Sequence, residues 1–229
     1  MKILVSLSGG LDSCTVLGLA IEKVGKENVE TISIDFGQKQ IREIDCAKKI
    51  ADYYDVKNKV FKLDLRQIGG SAQTDSNIKV PIDRGLHQMT IEIPKTWTPQ
   101  RNTLFFTMLH AYAEVNGFDE VWIGVNQIDF SGYPDTRESF IKRLQEALNW
   151  GSKQFVEESK IIKLYAPLQF MNKSSIIKEG LKINVPYQLT QSCYNPIEEK
   201  SCGHCDSCIL RINGFKEAGI KDPIEYEPY

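Results

Sequence analysis

The segment Ser8-Gly9-Gly10-Leu11-Asp12-Ser13 carries the sharpest chemical signal in the chain. Two adjacent glycines let backbone N–H groups approach an anion with no Cβ in the way. A helix beginning just behind them adds unpaired N–H donors and the positive end of its dipole. Ser8 and Ser13 supply hydroxyls, and Asp12 stands where a carboxylate could hold Mg²⁺ against phosphate oxygens. Residues of these types at this spacing make a cradle for an anion. The segment is not the G-x-x-x-x-G-K-[ST] loop, because no Lys follows the glycines, and the G-x-G-x-x-G spacing of dinucleotide binders is missing. A glycine turn with a polar helix cap is the plainer alternative. The strand before the segment and the helix after it favour phosphate.

A second cluster lies near the end of the chain. Cys202, Cys205 and Cys208 form C-x-x-C-x-x-C, with Cys193 nine residues upstream. A tight C-x-x-C turn places two sulfurs on one metal with little strain, and Cys208 and Cys193 can complete a tetrahedron. Four thiolates leave no open coordination position, so a structural Zn²⁺ is expected. An iron–sulfur cluster is the rival ligand, and His204 could compete as a donor. Without a secretory signal, such clustering favours metal over disulfides. Cys14 and Cys46 stand alone in helical patterns and read as small buried thiols, which leaves no convincing nucleophile.

These groups need a scaffold, and the first half of the chain alternates strand and helix patterns. Lys2 to Leu7 suits a buried parallel strand, and Asp12 to Val24 a helix ended by Gly25. A strand at Val29 to Phe36, a helix at Gln40 to Tyr54 and a strand at Val60 to Leu65 follow. A helix at Arg101 to Asn116 stops at Gly117, and strands are expected at Val121 to Val125 and Ile161 to Tyr165. Such alternation implies an α/β fold, an open parallel sheet with helices on both faces. Residues 67 to 100, rich in Gly and Pro, form a long connection of the kind that serves as a lid. Residues 1–185 are expected to form the nucleotide-binding domain. Residues 186–229 form a small C-terminal zinc-binding subdomain, with a short helix from about Asp206 to Ala218.

Composition narrows the function. The chain has 229 residues, 41% hydrophobic and 25% charged, with a net charge of −2. This is ordinary for a soluble globular protein and lacks the basic excess of a nucleic-acid surface. The first apolar run breaks at Ser6, too early for a signal peptide core or a membrane span. The expectation is therefore cytoplasmic, with neither nucleic acid nor membrane as partner. Between the two clusters, Asp129-Phe130-Ser131-Gly132-Tyr133-Pro134-Asp135 follows the fourth strand. At that end of a parallel sheet it could bind a flat heterocycle by stacking and edge contacts, or be a turn with solvated acids. Arg101 could clamp a carboxylate or phosphate with its planar fork. Lys173 could neutralise a phosphate, and Asp35, ending the second strand, could be a ligand or a turn cap.

Taken together, these segments resemble the 7-cyano-7-deazaguanine synthase family, queuosine-pathway enzymes of the PP-loop ATP pyrophosphatase superfamily. The resemblance is carried by Ser8 to Ser13, Phe36-Gly37-Gln38, Pro99 to Asn102, Gly124 through the 129–135 loop to Arg137, and the four cysteines. It spans nearly the whole chain in order. Departures are Gln100, where the family usually has a small residue, Gln40, where it has His, and Thr136, where Cys is common. The resemblance implies a Rossmann-like fold of the adenine nucleotide alpha hydrolase type and conversion of 7-carboxy-7-deazaguanine and ammonia to the nitrile with two ATP. It implies ATP at Ser8, Gly9, Gly10, Leu11, Asp12, Ser13, Asp35 and Gly124. It implies substrate at Gln38, Arg101, Asn102, Asp129, Ser131, Tyr133, Asp135 and Arg137. Catalysis would fall to Asp12, Ser13, Arg101 and Lys173, with Mg²⁺ on the phosphates and a homodimer as assembly. Other acceptors for the same adenylating loop, a tRNA base, a protein or DNA, stay open, as does a zinc-stabilised nucleotide sensor without turnover.

Overall fold

The computed structural model describes residues 1–39, 42–128, 132–198 and 200–228. Five strands, all parallel, form one sheet in the order β3-β2-β1-β4-β5. They are β1 (Ile3–Ser6), β2 (Val29–Asp35), β3 (Lys57–Lys62), β4 (Glu120–Trp122) and β5 (Lys163–Tyr165). β1 is central, with Ile3 opposite both Val29 and Glu120. Side chains alternate across a strand, and here each set has its own core. Ile3, Val5 and Leu7 pack with α1 (Leu11–Val24), α2 (Arg42–Tyr54), α7 (Lys173–Lys182) and α8 (Asp206–Ala218). Leu4, Ile32, Ile34, Val121 and Ile123 pack on the opposite face against α4 (Arg101–Asn116) and α5 (Glu138–Trp150). Two covered faces explain why the inner strands read as continuous apolar runs.

The α/β class, the five strands and the helices on both faces match the sequence expectation, and the bounds of α4 and α8 agree to the residue. β3 begins three residues earlier than expected, because its pairing with β2 runs from Lys57 opposite Glu30 to Lys62 opposite Asp35. It is an edge strand studded with lysines, which blunts edge pairing and hides the strand pattern. Two helices, α5 and the short α6 (Lys153–Glu158), were not anticipated, nor was α3 (Leu86–Ile91) within the long connection. The C-terminal segment shares a core with the rest of the chain. Tyr187 and Phe215 are buried with α1 and α7 and meet edge to face at 5.7 Å between centroids.

Candidate active site

The chain leaves β1 toward β2 on one side and later places β4 on the other. The crevice beyond the carboxyl ends of β1 and β4 is therefore the switch point where open α/β sheets bind ligands. A cleft lies there, holding about 1130 Å³ of empty space with its open mouth included. Ser8, Gly10, Leu11, Asp12 and Ser13 line it from the loop after β1, and Gly124 and Asn126 from the segment after β4.

The two loop glycines are required for different reasons. Gly9 has φ +89°, and a Cβ there would stand 2.1 Å from the Glu43 carbonyl oxygen and 2.9 Å from the Ala47 nitrogen. The packing of α2 against the loop demands glycine at position 9. At Gly10 the nearest atoms to such a Cβ are 3.4 Å away, so the protein itself leaves that position open on the cleft side. Gly124 has close neighbours too: a Cβ would come 3.1 Å from the Ser13 nitrogen. It lets the end of β4 approach the start of α1.

The loop amides have displaceable partners. Ser8 N–H donates to Ser13 Oγ (3.1 Å), Gly10 N–H to Ser8 Oγ (3.3 Å) and Leu11 N–H to Ser192 Oγ (3.3 Å). All three acceptors are hydroxyls, which can rotate to serve a phosphate oxygen instead. Among the described residues no acceptor is set against the N–H of Asp12 or Ser13, and Gly10, the residue before the helix, supplies no side-chain cap. The start of α1 thus keeps the anion-binding character of an uncapped helix N-terminus.

Asp12 reaches back from the first turn of α1 to Lys173 at the start of α7. The ammonium stands 2.7 and 2.8 Å from its two carboxylate oxygens. Both side chains are largely buried, 18% and 9% exposed. Lys173 is thereby a fixed positive charge beneath the loop, not a solvated surface lysine.

The far wall is built by α4 and the long connection. Arg101 donates to Asn102 Oδ1 (3.4 Å) and Gln73 Oε1 (3.3 Å), with its guanidinium carbon 5.7 Å from the centroid of the Phe36 ring. Gln100, just before it, sits in the left-handed region at φ 55°, a conformation that accounts for a preference for small residues there. Asn102 N–H and Nδ2 donate to Asp135 Oδ2 (3.4 Å) and to the Asp135 carbonyl (3.2 Å). Gln38 lines the cleft while its Oε1 accepts from Phe36 N–H at 2.8 Å. Tyr133 lines it with its hydroxyl 2.9 Å from Thr96 Oγ1. Thr136 also lines it and donates to the Tyr133 carbonyl at 2.9 Å.

Three expected ligands stand elsewhere. Asp35 Oδ1 accepts from Gly37 N–H at 3.2 Å, the cap of a turn. Asp135, buried, caps the start of α4. Arg137 is exposed at the start of α5. Asp129 and Ser131, like Gln40, lie outside the described residues.

Sequence reasoning missed several lining residues: Glu43, Gln73, Asn126, Ser192 and Tyr194. Glu43 is the most unusual. It lies in the first turn of α2, part-exposed toward the cleft. Burial pushes its carboxyl up to about 8, opposed by the Arg101 charge and reinforced by Cys205. Cys14, in contrast, is fully buried, and burial pushes its thiol up to about 12 against the opposing charge of Arg211, as suits an inert thiol.

The four cysteines converge. Their sulfurs all lie within 4.8 Å of one another and all four residues are buried. A tetrahedral ion with roughly 2.3 Å bonds to sulfur needs sulfur–sulfur edges of about 3.8 Å, and Cys202 Sγ and Cys208 Sγ are 4.0 Å apart. The backbone N–H groups of Tyr194, Asn195, Cys202, His204 and Cys205 all point at these sulfurs at 3.3 to 3.4 Å. That donor set fits one metal ion held by thiolates, too compact to spread over the irons of a cluster. His204 turns away to Asp83, 2.7 Å from Nδ1. The segment beside the knuckle also touches the loop from Ser8 to Ser13, since Gln191 N–H donates to the Gly9 carbonyl at 2.9 Å beside the Ser192 contact.

The chain is similar to known proteins in sequence and in fold. The family model described as "Queuosine biosynthesis protein QueC" matches residues 2–219. A Thermoplasma volcanium protein named 7-cyano-7-deazaguanine synthase is 49% identical over all of this chain and 92% of its own. A Trichodesmium erythraeum protein of the same name is 47% identical over 98% of this chain and all of its own. Among solved structures, a predicted tRNA methyltransferase subunit from Methanocaldococcus jannaschii has a TM-score of 0.50 at 18% identity, covering all of this chain and 92% of that one. That likeness concerns the fold alone.

Proposed function

The chain belongs to the queuosine biosynthesis family QueC, and from that membership we propose that it converts 7-carboxy-7-deazaguanine and ammonia to 7-cyano-7-deazaguanine with ATP, releasing AMP and pyrophosphate. A carboxylate is a poor electrophile, and adenylation gives it a leaving group. Ammonia then yields an amide. A second adenylation, on the amide oxygen, permits loss of that oxygen to leave the nitrile.

The loop from Ser8 to Ser13 supports this reading: it directs uncapped helix amides into the same cleft as the Arg101 guanidinium. In this reading those amides and the two hydroxyls hold the β- and γ-phosphates and stabilise charge as pyrophosphate departs. The fixed Lys173 charge favours the same anion. Arg101, Gln38, Asn102 and Tyr133 form the substrate wall, with Phe36 and Phe105 as apolar surface for a flat ring. Asp12 would hold Mg²⁺, which keeps most of its waters and needs only one or two carboxylates beside phosphate oxygens. Bound there, Mg²⁺ would supply positive charge to the departing pyrophosphate. The four cysteines would hold Zn²⁺, which would fix the knuckle and, through Gln191 and Ser192, the phosphate loop. A homodimer in the cytoplasm completes the proposal.

The test is incubation of the zinc-loaded protein with Mg-ATP, ammonium and 7-carboxy-7-deazaguanine, with AMP and nitrile followed by mass spectrometry. Nitrile with two AMP is expected. AMP at background from folded protein would remove the assignment.

A further inference from the structure

Ser207 stands in the first turn of α8, between Cys205 and Cys208, and is 8% exposed. Its hydroxyl has no hydrogen-bond partner among the described residues. Yet it is not sealed inside the protein: the surface it keeps opens on the cleft and on a smaller hollow beside it. A serine in a first helical turn ordinarily bonds to nearby backbone or meets bulk water. Ser207 does neither.

The hollow holds about 240 Å³ of empty space, open solvent included. It shares Leu11, Asp12, Ser192 and Ser207 with the cleft and adds Lys173 and Arg211. Glycine at position 214 lets α8 lie against the stem of Lys173, whose Cγ would stand 2.4 Å from a Cβ there. Lys173 and Arg211 put two cations in this lining against one carboxylate, Asp12. Asp222, which Arg211 holds at 2.8 and 2.9 Å, is not part of it. Cys205, the residue before α8, supplies no side-chain cap. Among the described residues no acceptor is set against the N–H groups of Asp206 and Ser207. The starts of α1 and α8 therefore bring open amides to one corner of the cleft.

Amide, ammonium and guanidinium groups only donate, so a phosphoryl oxygen can accept from all of them. Resting on the function proposed above, we propose that Ser207 is a phosphate ligand: its hydroxyl and the open amides of α8 hold the terminal phosphate of ATP alongside the loop from Ser8 to Ser13, and hold pyrophosphate after cleavage. The hydroxyl by itself could also serve Mg²⁺, but the donors around it could not. The experiment separates the two.

The full-length, zinc-loaded protein is titrated by calorimetry with pyrophosphate and with AMP in saturating Mg²⁺. Ser207→Ala should weaken pyrophosphate binding about 10-fold or more, the loss of one hydrogen bond to a charged group, and leave AMP within about twofold. Ser207→Thr, which keeps the hydroxyl, should stay within about threefold of the parent for pyrophosphate. Ser207→Asp, a residue type suited to a first helical turn, should abolish pyrophosphate binding while melting temperature and zinc content hold. In carboxylate-dependent exchange of pyrophosphate into ATP, Ser207→Ala should raise KM for pyrophosphate by the same factor, with the half-saturating Mg²⁺ concentration unchanged. Pyrophosphate affinity within about twofold of the parent in Ser207→Ala, equal losses for pyrophosphate and AMP, or a raised Mg²⁺ requirement would each overturn the proposal. Loss of zinc or of fold in Ser207→Ala and Ser207→Asp alike would make the residue structural and overturn it too. A parent protein that binds neither pyrophosphate nor ATP would remove the nucleotide reading of the cleft, and this inference with it.

Discussion

Replacing Lys173 with Met would remove the ammonium while keeping the aliphatic stem, which lies so close to α8 that a Cβ at Gly214 would stand 2.4 Å from its Cγ. The carboxylate of Asp12 would then lose contacts of 2.7 and 2.8 Å in a setting where it is 18% exposed. Breaking a buried pair from one side costs about 3–5 kcal/mol, because the remaining charge is left uncompensated. Asp12 opens onto the cleft and water can return to it, which places the expected loss near 3 kcal/mol. For a chain of this size that corresponds to a melting temperature lower by about 6–12 °C. Asp12→Asn strands the lysine in the same way. In the double variant neither charge remains, so the two losses should fall short of additive by about 2 kcal/mol. Denaturant unfolding of all four proteins measures this cycle. Single-variant losses below about 1 kcal/mol, or simple additivity, would refute the view that this is a buried mutual pair. Pyrophosphate exchange adds a functional arm: the double variant, restored in stability, should still exchange at least 100-fold more slowly, on the order expected for a lost phosphate-site charge.

The other predictions concern the loop, the cleft acid and the knuckle. Gly9→Ala should lose stability by about 3 kcal/mol or more in denaturant titration, since left-handed backbone with a Cβ costs about 1–2 kcal/mol and the overlap with the Glu43 carbonyl adds to it. An unchanged midpoint would show that α2 does not press on the loop. Glu43 has a folded pKa raised to about 8 from an ordinary value of 4.5. Its contribution is therefore undiminished below pH 4.5 and falls as pH rises through 8. Glu43→Gln should accordingly be the more stable protein at pH 8, by a few kcal/mol in order of magnitude, and show little difference at pH 4. The opposite pH trend in thermal melts would contradict the burial argument. Stripping metal with a chelator should expose the chain near residues 191–208 to limited proteolysis and lower the melting temperature, with one zinc per chain found before treatment. Unaltered digestion after complete metal removal would deny the knuckle its structural role.

Local signals were the legible ones. The glycine loop and the cysteine run were readable because each is a compact set of residue types within a short stretch, and the four sulfurs do converge. The ends of α4 and α8 were readable because Gly117 and Gly219 take the left-handed conformation that stops a helix. Glu43, Gln73 and Tyr194 had no such signal. They come from α2, the long connection and the knuckle segment between Cys193 and Cys202, and only the fold brings them to one cleft. Ser192 was masked by its cysteine neighbour, although its hydroxyl meets Leu11 across 181 positions. Asp35 and Asp135 were plausible ligands by type, yet Asp35 accepts from the Gly37 amide two residues on, and Asp135 accepts from the Asn102 amide in the first turn of α4, a distant contact with no local signal. Gln100 stands where a small residue was expected, and its φ of 55° supplies the reason.

Isotope transfer reaches the chemistry itself. With 7-carboxy-7-deazaguanine carrying ¹⁸O in both carboxyl oxygens, attack of that carboxylate and then of the amide on the α-phosphate must deliver one labelled oxygen to each AMP. Mass spectrometry of the nucleotide pool should show every AMP formed bearing a single ¹⁸O, with unlabelled pyrophosphate. Label recovered in water, in pyrophosphate or in inorganic phosphate would contradict adenylation at this loop.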